Sequence, residues 1–203
     1  MKKTIIAVLF IFTCGCSIYR SPVPSGDYYY LHPDADMSEV GKVVLIELKN
    51  KSSYPQISMD VTNSLFEEIQ KKQYFSVRVV PEDDPALRSL AMDFDAVNDP
   101  DKYLAVAKTL QCDAVIVGQV IEYTPFPHLS LGLRMRMIRC IDGELLWAYE
   151  QVWDTADKKT VYRIKKYQET QSCKGSEKVE EQLITVSSIK FVKFVAYEVA
   201  STF

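Results

Sequence analysis

Only seven of the 203 residues are glycine and two are histidine. So few glycines leave no Gly-rich loop to cradle a phosphate. There is also no Gly-x-Ser-x-Gly elbow and no pair of histidines at helical spacing. A strong basic excess is missing too: 24 Lys and Arg stand against 27 Asp and Glu, a formal net charge of −3. That argues against a nucleic-acid partner, which requires basic residues to neutralise phosphates. No apolar run approaches the ~20 residues that cross a hydrocarbon core of ~30 Å. His32 and His128 read as polar surface residues, and Cys173 sits in a polar break with no base nearby, so it does not read as a nucleophile. The acidic cluster Asp93, Asp95, Asn98, Asp99 and Asp101 lacks the glycine and terminal glutamate of an EF-hand loop and reads as a solvated loop with a helix cap. These absences predict no catalysis, no cofactor and no metal.

What is present begins at the N-terminus. Lys2 and Lys3 precede the apolar stretch 4–12 (TIIAVLFIF), and Thr13-Cys14-Gly15-Cys16 follows. That order predicts a secretory signal peptide over residues 1–15. Its end resembles a bacterial lipobox, with Thr13 standing where an aliphatic residue is usual. The resemblance implies that Cys16 becomes the acylated, palmitate-bearing N-terminus of a lipoprotein. Two or more acyl chains anchor stably, because each buried CH₂ contributes ~0.8 kcal/mol and one chain alone is marginal. Ser17 stands where Asp implies inner-membrane retention in Gram-negative lipoproteins, so the resemblance implies the outer membrane, facing the periplasm. Residues 16–41 read as the lipidated cysteine and a flexible tether carrying Pro22, Pro24 and Pro33. Within it, Tyr28-Tyr29-Tyr30 has a choice of packing on the domain or on a partner.

Residues 42–203 read as one α/β domain. Strands are predicted at 43–48, 74–80, 114–123, 128–141 and 144–154. Helices are predicted from Ser58, with Ile57, Val61, Leu65 and Ile69 as an apolar stripe, over 100–110 after the capping pair Asp99-Pro100, over 157–171, and from Ser187 or Ser188 to about Ser201. The third of these is basic, with Lys158, Lys159, Arg163, Lys165 and Lys166, and reads as a solvated face or a contact with anionic headgroups. The last is apolar around most of its girth and must be buried. This order predicts a mixed sheet of about five strands with helices packed on it and a C-terminal helix.

Asp142-Gly143 signals a two-residue hairpin turn. Centred there, the register places Leu133 opposite Val152 and Met137 opposite Ala148. On the other face Arg136 meets Tyr149, Arg134 meets Gln151, Ile138 meets Trp147, and Trp153 lies beyond. The face opposite the Leu/Met core would then consist of Arg134, Arg136, Trp147, Tyr149 and Trp153, residue types enriched at binding hot spots. Either the C-terminal helix covers that face or part of it docks another subunit. A looser hairpin centred near Phe126 places Gly118 opposite Arg134 and Cys112 opposite Cys140, which makes Cys112–Cys140 a candidate disulfide and leaves one thiol over.

The runs CDAVIVGQVIEY and LGLRMRMIRCIDGELLWAYEQVWD resemble a pattern shared by bacterial envelope lipoproteins. The curli secretion-channel lipoprotein, the Pel polysaccharide export lipoprotein and the lipoprotein activators of penicillin-binding proteins carry it on an α/β domain similar to the N-terminal domain of TolB. The resemblance covers about residues 43–154 and implies the fold more firmly than any partner. With the leader, it points to a non-catalytic, lipid-anchored envelope scaffold or secretion accessory that binds envelope proteins or copies of itself. The alternative is an exported ligand-binding protein or enzyme whose site has no familiar motif.

Overall fold

The computed structural model describes residues 29–90, 100–171 and 184–203. The leader, Cys16, the first part of the tether, the acidic positions 93–99 and Cys173 lie outside the described residues.

The strands are β1 Tyr29–Leu31, β2 Lys42–Ile46, β3 Lys49–Asn50, β4 Ser76–Val80, β5 Ala114–Thr124, β6 Ser130–Arg139 and β7 Leu145–Asp154. The described helices are α1 Ile57–Lys72, α2 Pro85–Leu90, α3 Pro100–Leu110, α4 Lys158–Gln171 and α5 Ser188–Ala200. They build one mixed sheet of seven strands in the order β1-β7-β6-β5-β2-β4, with β3 beside β5. β2 runs parallel to both β4 and β5, while β5, β6, β7 and β1 are successively antiparallel. The five expected strands are all there. The two extra ones, β1 and β3, span three and two residues and are too short to show a period of their own. β1 lies in the stretch expected to be tether. Tyr29 and Tyr30 pair with Tyr149 and Ala148 of β7, and Met37 is buried in the core, so the folded unit begins before residue 42.

Side-chain alternation sorts the strands into two faces. Val43, Leu45, Ile116, Leu131, Leu133, Met135 and Met137 face a large core under α1, α4 and α5. Val44, Ile46, Val115, Val117 and Ile138 face a smaller core with Leu87 of α2 and Tyr103, Val106 and Leu110 of α3. The stripe Ile57, Val61, Leu65, Ile69 buries α1 as the spacing predicts. Ser58, however, does not cap that helix. Its hydroxyl donates to the Leu48 carbonyl, and Thr62 Oγ1 accepts the Leu48 N–H at 3.1 Å, so both residues stitch α1 to the end of β2.

The β6–β7 connection is longer than the expected two-residue turn. The Arg139 N–H donates to the Glu144 carbonyl at 2.8 Å, which leaves Cys140 to Gly143 as the loop, with Gly143 at φ 74°. An irregularity then follows in the ladder: Ile138 pairs with Leu145, but Met137 pairs with Trp147. Beyond it Leu133 faces Gln151, Arg134 faces Glu150, Met135 faces Tyr149 and Arg136 faces Ala148. The register is one residue away from the expected one, and such a slip exchanges the two faces of a strand. Trp147, Tyr149 and Trp153 therefore belong to the Leu/Met core and not to the arginine face. The β5–β6 register also differs by one: Gly118 faces Met135, and Gln119 faces Arg134. Gly118 is required there, because a Cβ would stand 2.5 Å from the Arg134 carbonyl oxygen and 2.8 Å from Met135 Cγ.

Candidate functional site: a half-covered sheet face above a buried polar cluster

On the smaller-core side, α2 and α3 pack over β2, β4, β5 and the hairpin end of β6. The part of that face formed by β6, β7 and β1 carries no described helix. Arg134 and Glu150 sit at its centre, directly opposite each other, with each side chain 52% exposed. Arg134 Nε and Nη2 donate to the two Glu150 oxygens at 2.7 Å each, a bidentate fork. That contact holds the Glu150 carboxyl below its ordinary range. Val152 beside it is 46% exposed and Tyr30 on the edge strand 43%. Arg136 is half-buried nearer the Tyr103 ring of α3. Toward the hairpin end, Arg139 Nη1 bridges Asp142 at 3.0 Å and Glu144 at 2.6 Å, and His32 Nε2 lies 3.2 Å from Glu144. Gln119, across from Arg134, is buried with its Oε1 unpartnered. The result is a shallow patch of paired charges, aromatic edge and aliphatic surface. Such a patch suits contact with a protein better than enclosure of a small molecule.

The aromatics expected on this face have another role. On the opposite side of β7 the Trp147, Tyr149 and Trp153 rings stack along the strand with centroids 5.9 and 5.8 Å apart. Each has its polar end satisfied by the C-terminal segment or by a neighbour, as buried Trp and Tyr require. Trp147 Nε1 donates to Thr202 Oγ1 at 2.9 Å, and Trp153 Nε1 donates to Glu198 Oε2 at 2.5 Å. Glu198, on α5, is 1% exposed and pairs with Arg163 of α4 at 3.0 Å. The Gln151 amide completes the cluster. Its nitrogen donates to the Tyr149 hydroxyl at 2.7 Å, and its oxygen accepts from both Arg163 terminal nitrogens at 2.7 and 2.6 Å. Burial pushes the Glu198 carboxyl up to about 7 against the opposing pull of Arg163 and the Trp153 N–H. Burial likewise raises the Tyr149 hydroxyl, with Glu198 adding to the effect. Arg163 thus leaves the solvated basic face expected for α4 and turns inward. Sequence reasoning missed Glu198 and Arg163. The available signal was a single carboxylate within SIKFVKFVAYEVA, an otherwise almost wholly apolar helix with two lysines.

Cys112 and Cys140, the expected disulfide, are brought together as free, buried thiols: their Sγ atoms lie 3.9 Å apart in the smaller core. Among the described residues no group of three or more His, Cys, Asp and Glu side chains is placed to hold a metal ion, and no helix is long and apolar enough to cross a membrane.

No family model matches this chain, and no curated protein matches it. Solved structures similar in fold each align over more than half of this chain. The PelC dodecamer of Paraburkholderia phytofirmans aligns with a TM-score of 0.45 and 15% identity, over 62% of this chain and 78% of that one. The LpoB C-terminal domain of Salmonella enterica aligns with a TM-score of 0.41 and 16% identity, over 56% and 82%. The hypothetical protein CT253 of Chlamydia trachomatis aligns with a TM-score of 0.47 and 10% identity, over 80% and 95%.

Proposed function

We propose that this chain is a lipid-anchored, non-catalytic envelope protein that works as a scaffold or assembly accessory. In this reading Cys16 carries the acyl groups, the segment before Tyr29 sets the reach from the outer membrane, and the β6–β7–β1 face meets another envelope protein or a second copy of this chain. The observation that carries the reading is the half-covered sheet: one face is sealed by three helices, while the other leaves Arg134, Glu150, Val152 and Tyr30 at the surface. Arg136, at the covered border of that face, would add to the contact. The order of charge, apolar run and Gly15-Cys16 supplies the anchor.

The test has two arms in cells making the full chain. Mass spectrometry of the membrane-bound product should find residues 1–15 removed and Cys16 acylated, and Cys16→Ala should release the protein from the membrane. A photo-crosslinking residue at position 152 should give a discrete protein adduct, while one at position 186, also exposed, should not. Retention of the leader on an unmodified Cys16 would overturn the anchor, and no adduct at 152 would overturn the docking face.

One observation favours the second reading, an exported ligand-binding protein. A cavity of about 210 Å³ lies between α4 and α5, lined by Tyr167, Gln168, Ile184, Lys190 and Lys193, and both Gln168 amide atoms are buried without partners. It falls below the ~300–1,000 Å³ of ordinary ligand pockets, which places scaffolding first.

A further inference from the structure

Two cysteines from distant points of the chain meet where α3, β5 and β6 converge. Cys112 follows Gln111, the left-handed residue (φ 52°) that ends α3, and its N–H donates to the Ala107 carbonyl at 3.3 Å. Cys140 leaves the end of β6, and its N–H donates to the Asp113 carbonyl at 2.8 Å. Backbone bonds on both sides thus hold the two side chains facing each other, with Sγ atoms 3.9 Å apart and the residues 28 positions apart in sequence. Both are buried, Cys140 completely, among Tyr103, Val106, Leu110, Val115 and Ile138. Their mutual S–H contact is a weak one. Closing the gap to the ~2.05 Å of an S–S bond requires each sulfur to move by about 1 Å, which small side-chain rotations supply.

We propose that Cys112 and Cys140 are joined by a disulfide in the exported protein. The proposal rests on the export reading above, because an exported chain meets an oxidising space and a cytosolic one does not. The oxidant is a disulfide-bearing thiol oxidoreductase of that space. One thiolate of the pair attacks the oxidant's disulfide and forms a mixed disulfide while one oxidant sulfur leaves as a thiol. The second thiolate then attacks the mixed disulfide. Two protons are released by the chain, two electrons pass to the oxidant, and the oxidant departs as a dithiol. A protein oxidant reaches neither sulfur in the closed fold, so oxidation precedes docking of α3 on the sheet. The packed core then shields the bond from reductants. The bond ties the end of α3 to the hairpin end of β6 and fixes the border of the half-covered face.

The full chain with its leader is produced in a bacterial host, and its free thiols are alkylated in denaturant with N-ethylmaleimide. Remaining thiols are then released with reductant and labelled with iodoacetamide before peptide mapping. The expected result is that Cys112 and Cys140 carry only the second label and that an unreduced digest contains their two peptides linked. The same chain lacking residues 1–15, kept in the cytosol, should carry the first label on both. Adding reductant should lower the unfolding midpoint of the exported protein by about 5–10 °C and leave Cys140→Ser unmoved. The first label on Cys112 and Cys140 of exported protein, or a link from either one to Cys173, overturns the proposal. If the leader is retained, the export reading has failed separately. The purified chain is then refolded with oxidised glutathione, where a Cys112–Cys140 link upholds the pairing and its absence refutes it.

Discussion

The buried carboxylate of Glu198 makes the stability of this protein depend on pH in an unusual direction. Most paired carboxylates titrate below their ordinary values when folded, and the fold weakens as pH falls. Glu198 does the reverse. Its carboxyl is pushed from 4.5 to about 7 because it is almost wholly removed from water, and Arg163 and the Trp153 N–H only partly offset that cost. Below pH 4.5 the group is protonated in both folded and unfolded chains and costs nothing. Between 4.5 and 7 the unfolded chain ionises while the folded one keeps its proton, so stability falls as pH rises. Above 7 both forms are ionised and the whole cost is present, about 3 kcal/mol. Urea unfolding of the chain without its leader, followed from pH 4.5 to 8, should show this decline. Glu198→Gln keeps an acceptor for Trp153 and Arg163 but carries no charge, so its curve should be flatter by about that amount and should lie above wild type at pH 8. Glu198→Ala should instead be destabilised by about 3 kcal/mol, because it leaves the buried Trp153 N–H and the Arg163 guanidinium without the acceptor that Gln retains, and opens a cavity. The exposed carboxylates lowered by partners, such as Glu150 beside Arg134, act below pH 4.5 and do not overlap this window. Parallel pH curves for wild type and Glu198→Gln would refute the reasoning.

Two further outcomes test the register. Trp147→Phe removes the bond to Thr202 and part of the stacked row, so urea unfolding should show a loss of about 1–3 kcal/mol, and any contact made by the arginine face should survive. Arg134→Glu breaks a half-exposed fork and sets two like charges face to face. It should change stability by only about 1 kcal/mol while abolishing the position-152 cross-link, and a large loss of stability with the cross-link intact would contradict the assignment.

The architecture was legible because its carriers are long and periodic. The α1 stripe repeats every fourth residue, β5 is apolar on both faces as a central strand must be, and the alternation in β6 separates Leu and Met from Arg without ambiguity. The short strands were not legible. β1 and β3 exist because β7 and β5 offer them backbone partners, and no pattern of two or three residues encodes that. The Ser58 misreading has a similar origin. A hydroxyl near a helix start serves as a cap only if the chain turns into the helix there, and here the helix starts earlier and the hydroxyl finds the Leu48 carbonyl instead.

The arginine face failed for a more instructive reason. Its two arginines were placed on the correct side of β6, but their neighbours on β7 depended on the length of one turn and on one irregularity, each shifting the count by a residue. Composition held the missing constraint. In the expected register Glu150 falls opposite Met135 and points a carboxylate into the Leu/Met core, at a desolvation cost that a sheet cannot sustain without a buried cation. Shifting by one residue moves Glu150 opposite Arg134, where a bidentate pair forms at the surface, and carries Trp147, Tyr149 and Trp153 into the core. The single charged residue in LLWAYEQVW thus decides the register more strongly than the turn signal does. It also reassigns the chemistry of the protein. The aromatic surface that suggested docking becomes the floor on which α5 is clamped by Glu198 and Thr202, and what remains exposed is a patch of paired charge bordered by Val152 and Tyr30.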